Sequence, residues 1–282
     1  MSTPTSLALP DGVRHTEIET GRGTFAALEA LPPHGVCERE TALLVPGYTG
    51  SKEDFLALLD QLASPGRRVL AIDMRGQYQT PGNGCYSAAE LGADIAAIVA
   101  ETQTWHLLGH SYGGLVAREA VLDHDAGVSS FTLMSSGPSG LTGPRADELR
   151  SMLAALAEHD VATIWASQLE PQAVASGVPA EIVGFLRERM LGNDPVALAD
   201  MARHLLGAPD RATELADRFT ALPKLVIYGQ DDNAWLPSVQ EEMAHVLNAQ
   251  RVCIPGAMHS PNVEAPATTA SALTAFWDKA EA

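Results

Sequence analysis

A serine between glycines, placed where an apolar run ends, is the first feature of this sequence that could do chemistry. The stretch Leu107–Gly114 reads LLGHSYGG, and the pattern G-x-S-x-G is matched by Gly109, Ser111 and Gly113. This pattern can mark a strained turn that presents a nucleophilic serine, and it also arises by chance in glycine-rich turns. Because a serine hydroxyl is a weak nucleophile near neutral pH, the pattern needs a base and an acid elsewhere.

Two loops further along the chain offer that base and acid. His259 stands in PGAMHSPNVEAP, after a strand predicted to end near Ile254 and before the last predicted helix. Ligands of open α/β sheets bind at this carboxyl edge of the strands. The motif YGQDDNAW places Asp231 and Asp232 directly after another predicted strand, and both are chemically suitable. With Asp232 the chain order is serine, acid, histidine, which is the order of one hydrolase architecture.

An acyl-transfer site also needs two backbone amides for the developing oxyanion. One is expected from the residue after the nucleophile, which is Tyr112. The other is expected from a loop after an early strand. The stretch VPGYTG fits, because Gly47 and Gly50 stand around Tyr48 and let the backbone come close.

The elements predicted around these residues alternate between strand and helix. Apolar runs rich in Val, Ile and Leu are candidate strands at 41–45, 68–72, 105–108, 131–134, 224–228 and 251–254, and the run 24–30 is a candidate antiparallel edge strand. Helical patterns cover 54–63, 87–100, 112–122, 239–247 and 268–280. This alternation predicts a mostly parallel sheet flanked by helices. LLGHSYGG then becomes strand, sharp turn and helix, as a nucleophile turn requires.

One long interval breaks the alternation, because no strand candidate occurs between Ser136 and about Ala221. This interval contains helical patterns with apolar stripes and is far longer than a simple crossover needs. We therefore predict a core domain at 1–136 and 222–282 and a helical cap at 137–221. Trp165 and Trp235 are candidates for lining the substrate pocket, and ordinary packing in the core or cap is the alternative.

The composition indicates which class of molecule the protein binds. The 282 residues carry a formal net charge of −17, so nucleic-acid phosphates would be repelled and a small-molecule substrate is the better expectation. The sequence contains no dinucleotide-binding glycine pattern, no HExxH and no paired CxxC, so we expect neither a cofactor nor a metal ion. No apolar run approaches a membrane-spanning length. The oligomeric state is left open.

Location and redox state follow from the N-terminus and the cysteines. The first residues, MSTPTSLALPDG, lack the basic start and apolar stretch of a secretory signal, so we expect a cytoplasmic protein. Three widely spaced cysteines fit reduced thiols better than a disulfide framework, and we expect them to be ordinary buried residues: Cys37, Cys85 and Cys253.

Five stretches together, VPGYTGSKEDF, DMRG, GHSYGG, YGQDDNAW and PGAMHSPNVEAP, resemble the α/β-hydrolase superfamily, specifically its cap-bearing, esterase-like members. The resemblance covers nearly the whole chain and is weakest in the cap. It implies these roles: Ser111 as nucleophile, His259 as base, Asp232 as acid, and the backbone amides of Tyr48 and Tyr112 as the oxyanion hole. The acid in such chains commonly stands three residues after the strand-end glycine, here Gly229, which selects Asp232 over Asp231.

Two departures from the family pattern affect loop shape. The oxyanion loop often begins His-Gly, whereas this chain has Pro46 before its glycine, which keeps the backbone role and removes a side chain. After DMRG, many relatives continue with another glycine, whereas Gln77 and Tyr78 follow here. The DMRG residues Asp73 and Arg75 are interpreted as structural.

The resulting expectation is a serine hydrolase that cleaves a carboxylic ester, thioester or lactone of a small, partly apolar molecule through an acyl-enzyme. Serine at position 111 argues against the dehalogenase and epoxide hydrolase branches, which use a carboxylate nucleophile. Carbon–carbon bond hydrolysis or cofactor-free peroxidation on the same three residues is the alternative chemistry. A non-catalytic ligand receptor with the same fold is a third hypothesis.

Overall fold

Short runs of β-branched and aliphatic residues form one eight-stranded sheet in a computed structural model, which describes residues 2–282. The strands are β1 (Val13–Thr20), β2 (Gly23–Ala30), β3 (Arg39–Val45), β4 (Arg67–Ile72), β5 (Thr104–His110), β6 (Ser130–Met134), β7 (Lys224–Gly229) and β8 (Gln250–Ile254). Their spatial order is β1-β2-β4-β3-β5-β6-β7-β8. β2 is antiparallel to β1 and β4, and all other neighbours are parallel. The predicted fold class is confirmed.

One strand was not predicted, and it changes the position of another. β1 lies at the edge of the sheet, so β2 is the second strand and the expectation that 24–30 forms the edge is wrong. The reason is visible in the sequence of β1, VRHTEIET, in which only Val13 and Ile18 are buried. A strand so polar lacks the apolar run on which the prediction of strands depended.

Helices cover both faces of the sheet, with short 3-10 and π turns between some of them. The helices are α1 (Leu56–Ala63), α2 (Ala88–Thr102), α3 (Tyr112–His124), α4 (Gly143–Glu158), α5 (Val161–Ile164), α6 (Glu170–Ala175), α7 (Ala180–Gly192), α8 (Pro195–Gly207), α9 (Ala212–Arg218), α10 (Pro237–Val246), α11 (Pro261–Glu264) and α12 (Pro266–Ala280), with a 3-10 turn at Lys52–Phe55 and a π turn at Trp165–Leu169.

The sheet buries apolar side chains on both faces, as a parallel sheet between helices must. Successive residues of β3 show this, since Leu43 packs with α2 and α3 while Leu44 packs with α1 and α12. Helices α4 to α9 all lie between β6 and β7 in the chain, in the interval where no strand was predicted. Part of this helical insertion has an apolar cluster of its own around Trp165 and Phe185.

The three cysteines are free thiols, but the expectation that they are buried is wrong, because all three are exposed. Cys37 and Cys85 lie in loops, and Cys253 lies on β8 at the outer edge of the sheet. Within residues 2–282, no helix combines the length and the apolar character needed to cross a membrane.

Candidate active site

Ser111 occupies the sharp turn between β5 and α3. Its backbone has φ 54° and ψ −120°, a conformation that is strained for a residue with a side chain. The turn is held by the Ser111 amide, which donates to the carbonyl of Met134 at 2.8 Å. Gly113 must be glycine because a Cβ there would collide with the carbonyl oxygens of Val45 and Pro46. The pattern G-x-S-x-G thus has a steric cause in this fold.

His259 contacts both Ser111 and Asp232. Its Nε2 lies 2.9 Å from Ser111 Oγ, and its Nδ1 lies 3.0 Å from Asp232 Oδ1. In the tautomer that satisfies both contacts, Nδ1–H donates to the carboxylate and Nε2 accepts from the serine hydroxyl. The Asp231 side chain, in contrast, is exposed, while its amide donates to the carbonyl of Ala257. The structure therefore brings together the serine, the histidine and the second of the two aspartates.

The carboxylate of Asp232 is fully enclosed and has further hydrogen-bond donors. The amide of Ala234 donates to Oδ1 at 2.9 Å, and Gln240 Nε2 donates to Oδ2 at 2.9 Å. Gln240 also donates to the carbonyl of Trp235 at 2.7 Å and is itself buried. Sequence reasoning missed Gln240, although a buried glutamine eight residues after the acid, on the inner face of α10, is the available signal. These contacts fix the orientation of the carboxylate toward His259.

His110 holds the loop that carries the imidazole. Its Nε2 lies 2.9 Å from the backbone carbonyl of His259, so the Nε2–H tautomer donates there. Burial, together with the nearby His259, lowers the pKa of His110 to about 3, which keeps this ring neutral near pH 7. The sequence analysis assigned His110 no role, because its position before the serine gives no indication of a contact 149 residues away.

The loop proposed for the oxyanion lies directly against Ser111. A Cβ at Gly47 would come within 3.1 Å of Ser111 Cβ, and the side chain of Gln77 donates to the Gly47 carbonyl at 2.9 Å. Tyr112 is the first residue of α3, so its amide has no partner within the helix and lies at the positive end of the helix dipole. Gln77, which departs from the family pattern, therefore supports the loop that bears Tyr48.

Asp73 and Arg75 make buried ion pairs behind this loop, as a structural role requires. Asp73 receives Lys52 Nζ at 2.8 Å and the Lys52 amide at 2.8 Å. Arg75 Nε donates to Asp94 at 2.6 Å. Neither Asp73 nor Arg75 borders the cavity described next.

A cavity of about 640 Å³ opens over Ser111 and His259. Its apolar lining includes three leucines that the inserted helices and the segment before them contribute: Leu141, Leu149 and Leu205. The polar residues that the insertion contributes to the lining are Arg145, Glu148, Ser151, Gln168 and Gln172. Leu169 and Gln168 belong to the π turn, a helix irregularity that is frequent at functional sites.

The two tryptophans suggested for the pocket do not line this cavity. Trp165 is buried in the apolar cluster of the insertion. Trp235 lies near the site, with its ring centroid 6.3 Å from that of His259, but its indole N–H donates to the carbonyl of Ser139 at 3.0 Å. Packing explains both positions, since tryptophan buries more area than any other side chain.

Residues 42–272 match the model of the alpha/beta hydrolase family. The chain belongs to this family. A pimeloyl-[acyl-carrier protein] methyl ester esterase of Edwardsiella ictaluri (strain 93-146) is 28% identical over 256 residues, which cover 86% of this chain and 95% of that one. A protein of Variovorax paradoxus (strain S110), named as a carbamate hydrolase, is 36% identical over 107 residues, and the match spans only 40% of its length.

A solved structure gives the same overall architecture. The thermophilic esterase from Thermogutta terrifontis superposes with a TM-score of 0.73 at 22% identity, covering 95% of this chain and all of that one. At this level of identity the likeness establishes the fold.

Proposed function

We propose that the protein hydrolyses carboxylic esters, with thioesters and lactones in the same class, through an acyl-enzyme on Ser111. The observation that carries this proposal is the unbroken chain of contacts from Ser111 Oγ through His259 to Asp232 at the floor of the cavity. The esterase named among its relatives supports the same reaction type.

In the first half-reaction, Ser111 Oγ attacks the ester carbonyl and His259 Nε2 takes the hydroxyl proton. The carbonyl oxygen becomes an oxyanion, which we expect the backbone amides of Tyr48 and Tyr112 to stabilise. The carbonyl re-forms, the bond to the alcohol oxygen breaks, and His259 gives its proton to the departing alcohol. An ester between the acyl group and Ser111 remains.

In the second half-reaction, His259 takes a proton from water, which attacks the acyl-enzyme through the same oxyanion geometry. Ser111 leaves with that proton, and the carboxylic acid is released. Asp232 keeps the imidazole in the required tautomer, because its carboxylate accepts from the Nδ1–H.

We assign residues 137–221 to a cap that selects the substrate. Helices of this insertion place Leu149 and Leu205 beside the nucleophile, so part of the substrate is expected to be apolar. The exposed amides of Gln168 and Gln172 border the same cavity. A small molecule with an apolar part and a hydrogen-bonding part fits this lining.

Labelling with a fluorophosphonate tests the activated serine. The intact protein should be labelled stoichiometrically and Ser111→Ala should not, while a Ser135→Ala control should label like the intact protein. Turnover of 4-nitrophenyl esters against a panel of vinylogous diketones then separates ester hydrolysis from carbon–carbon bond hydrolysis. Absence of labelling in the folded, intact protein would support the non-catalytic receptor and reject the proposal.

A further inference from the structure

The segment before β1, residues 2–9, reaches the active site, and we call it the N-terminal strap. Ser2 is buried and borders the same cavity as Ser111. Its hydroxyl lies 2.8 Å from the hydroxyl of Ser260, the residue that follows His259 in the chain. The strap therefore contributes Ser2 to the wall of the cavity, next to the loop that carries the proposed base.

A buried ion pair holds this end of the strap. Arg189 of α7 donates to the carbonyl of Ser2 at 2.8 Å and to Asp54 Oδ1 at 2.6 Å. The side chains of Arg189 and Asp54 are both inaccessible to solvent, and Asn262 donates to the Asp54 carbonyl at 2.7 Å. Removing two charges from water costs free energy, so this ion pair adds little to the free energy of unfolding. Its main effect is to hold the residues around it in one arrangement. Through these contacts the ion pair connects the insertion, the strap and the loop that carries His259.

The rest of the strap spans a second cavity. This cavity, of about 350 Å³, lies between the strap and α1 and is lined on the strap side by Pro4, Thr5, Ser6 and Ala8. Asp54 borders both this space and the active-site cavity. Asp54 thus stands at the boundary between the two cavities, and Ser2 lies next to it because Arg189 donates to both residues.

Ser2 borders the side of the cavity that receives the alcohol part of an ester. His259 must hand its proton to the departing alcohol oxygen, so that oxygen lies next to the imidazole and its substituent extends along the His259 loop. Ser2 contacts that loop through Ser260. The acyl group, bonded to Ser111, remains on the other side of the reacting carbon.

We infer that the N-terminal strap limits the length of the alcohol that the active site accepts, with Ser2 as the specificity-determining residue. This inference rests on the proposed esterase function. Its consequence is that loss of the strap removes the wall at the end of the alcohol side and uncovers the surface of α1 behind it, whereas a larger side chain at position 2 shortens the alcohol side.

The test compares two ester series on the full chain and on a variant lacking residues 2–9. Alkyl acetates from ethyl to decyl, followed by pH-stat, vary the alcohol, and 4-nitrophenyl esters from acetyl to decanoyl vary the acyl group. The deletion should move the preferred alcohol at least two carbons longer, with kcat/KM for the longer acetates rising up to about tenfold, because the added methylenes can then cover Leu56, Ala57 and Val263. The preferred acyl length should not change.

A substitution at Ser2 tests the same inference if the deletion variant does not fold. Ser2→Phe should lower kcat/KM for hexyl and longer acetates at least about tenfold while ethyl acetate is hydrolysed nearly as before. Ser271→Phe, at an exposed position of α12, is the matched control and should leave both series unchanged. An unchanged alcohol profile in Ser2→Phe, or a shift confined to the acyl series, would overturn the inference.

The two proposals fail in different ways. If the intact protein turns over neither series, the esterase proposal fails first. If it shows a clear preference for one alcohol length that neither the deletion nor Ser2→Phe alters, the esterase proposal stands and the role of the strap is rejected.

Discussion

The two sides of the active-site cavity are built differently. On the sheet side, Ser111 and Asp232 are buried, and the loops that carry them are held by hydrogen bonds to backbone groups. On the cap side, Glu148, Gln168 and Gln172 are exposed. The sheet side can hold reacting atoms to within a fraction of an ångström, which acyl transfer requires. These exposed side chains can be substituted at little cost in stability, so we expect this side of the cavity to control which substrate binds.

The contrast between the two sides of the cavity predicts that changes on the sheet side abolish turnover without unfolding the protein. Ser111→Ala or His259→Ala should lower kcat for a 4-nitrophenyl ester by about 10⁴-fold or more, because each removes a group that bonds to or protonates the reacting atoms. Thermal unfolding should be nearly unchanged. Near-normal turnover by folded Ser111→Ala would remove the central assignment.

The adjacent aspartates give an internal control on the sheet side. Asp232→Asn should lower kcat by about 10³-fold to 10⁴-fold, because an amide at this position favours the wrong imidazole tautomer. Asp231→Asn should change kcat by less than about twofold, since its side chain is exposed and surface substitutions have small effects. Steady-state kinetics of the two variants decides the assignment, and greater damage from Asp231→Asn would move the acid to that residue.

His110 should produce an intermediate effect, because it acts through the backbone of His259 rather than on substrate. His110→Leu leaves the His259 carbonyl without its buried donor and should lower kcat by about 10-fold to 100-fold, corresponding to roughly 1–3 kcal/mol. His110→Gln restores an N–H near the Nε2 position and should recover most of this loss, with KM little changed in either variant. Equal kcat values for the two variants would show that the hydrogen bond to the carbonyl at 2.9 Å does not position the base.

The residues that sequence reasoning found stand in short patterns with a fixed spacing. Gly113 stands two residues after Ser111, and Asp232 stands three residues after Gly229, the last residue of its strand. Gln240 and His110 act across 8 and 149 residues, and no short pattern records such contacts. Ser2 is a further example, because its contact with Ser260 joins positions 258 residues apart.

The same reasoning explains two errors of the sequence analysis, the missed strand β1 and the placement of two tryptophans in the pocket. β1 was missed because an edge strand with two buried side chains is mostly polar and lacks an apolar run. The tryptophans were suggested for the pocket from residue type alone, and residue type does not distinguish a pocket wall from the packed interior. Features that depend on tertiary packing therefore could not be predicted from the sequence. The alternation of apolar strands and helices could be predicted.

The smallest expected effects concern the cap side of the cavity. They are changes in kcat/KM with the length of the acyl chain. Leu149 and Leu205 border the cavity and belong to the apolar cluster against which Tyr48 packs. An acyl chain that extends over these leucines should gain about 0.8 kcal/mol for each buried methylene, so two added carbons should raise kcat/KM up to about tenfold until the space is filled. We expect kcat/KM for 4-nitrophenyl esters to rise from acetyl to a medium-chain acyl group and then to fall.

Substitution of the leucines distinguishes a pocket wall from residues that only dock the insertion on the sheet. Leu149→Ala should move the preferred acyl length by one or two carbons and change kcat/KM for any one ester by about threefold to tenfold, while kcat for acetyl stays near that of the intact protein. Val174→Ala, at an exposed position of α6 that does not border the cavity, is the control and should leave the profile unchanged. A flat profile in the intact protein, or a steady preference for acetyl, would mean that these leucines serve packing alone and that the substrate is small or polar.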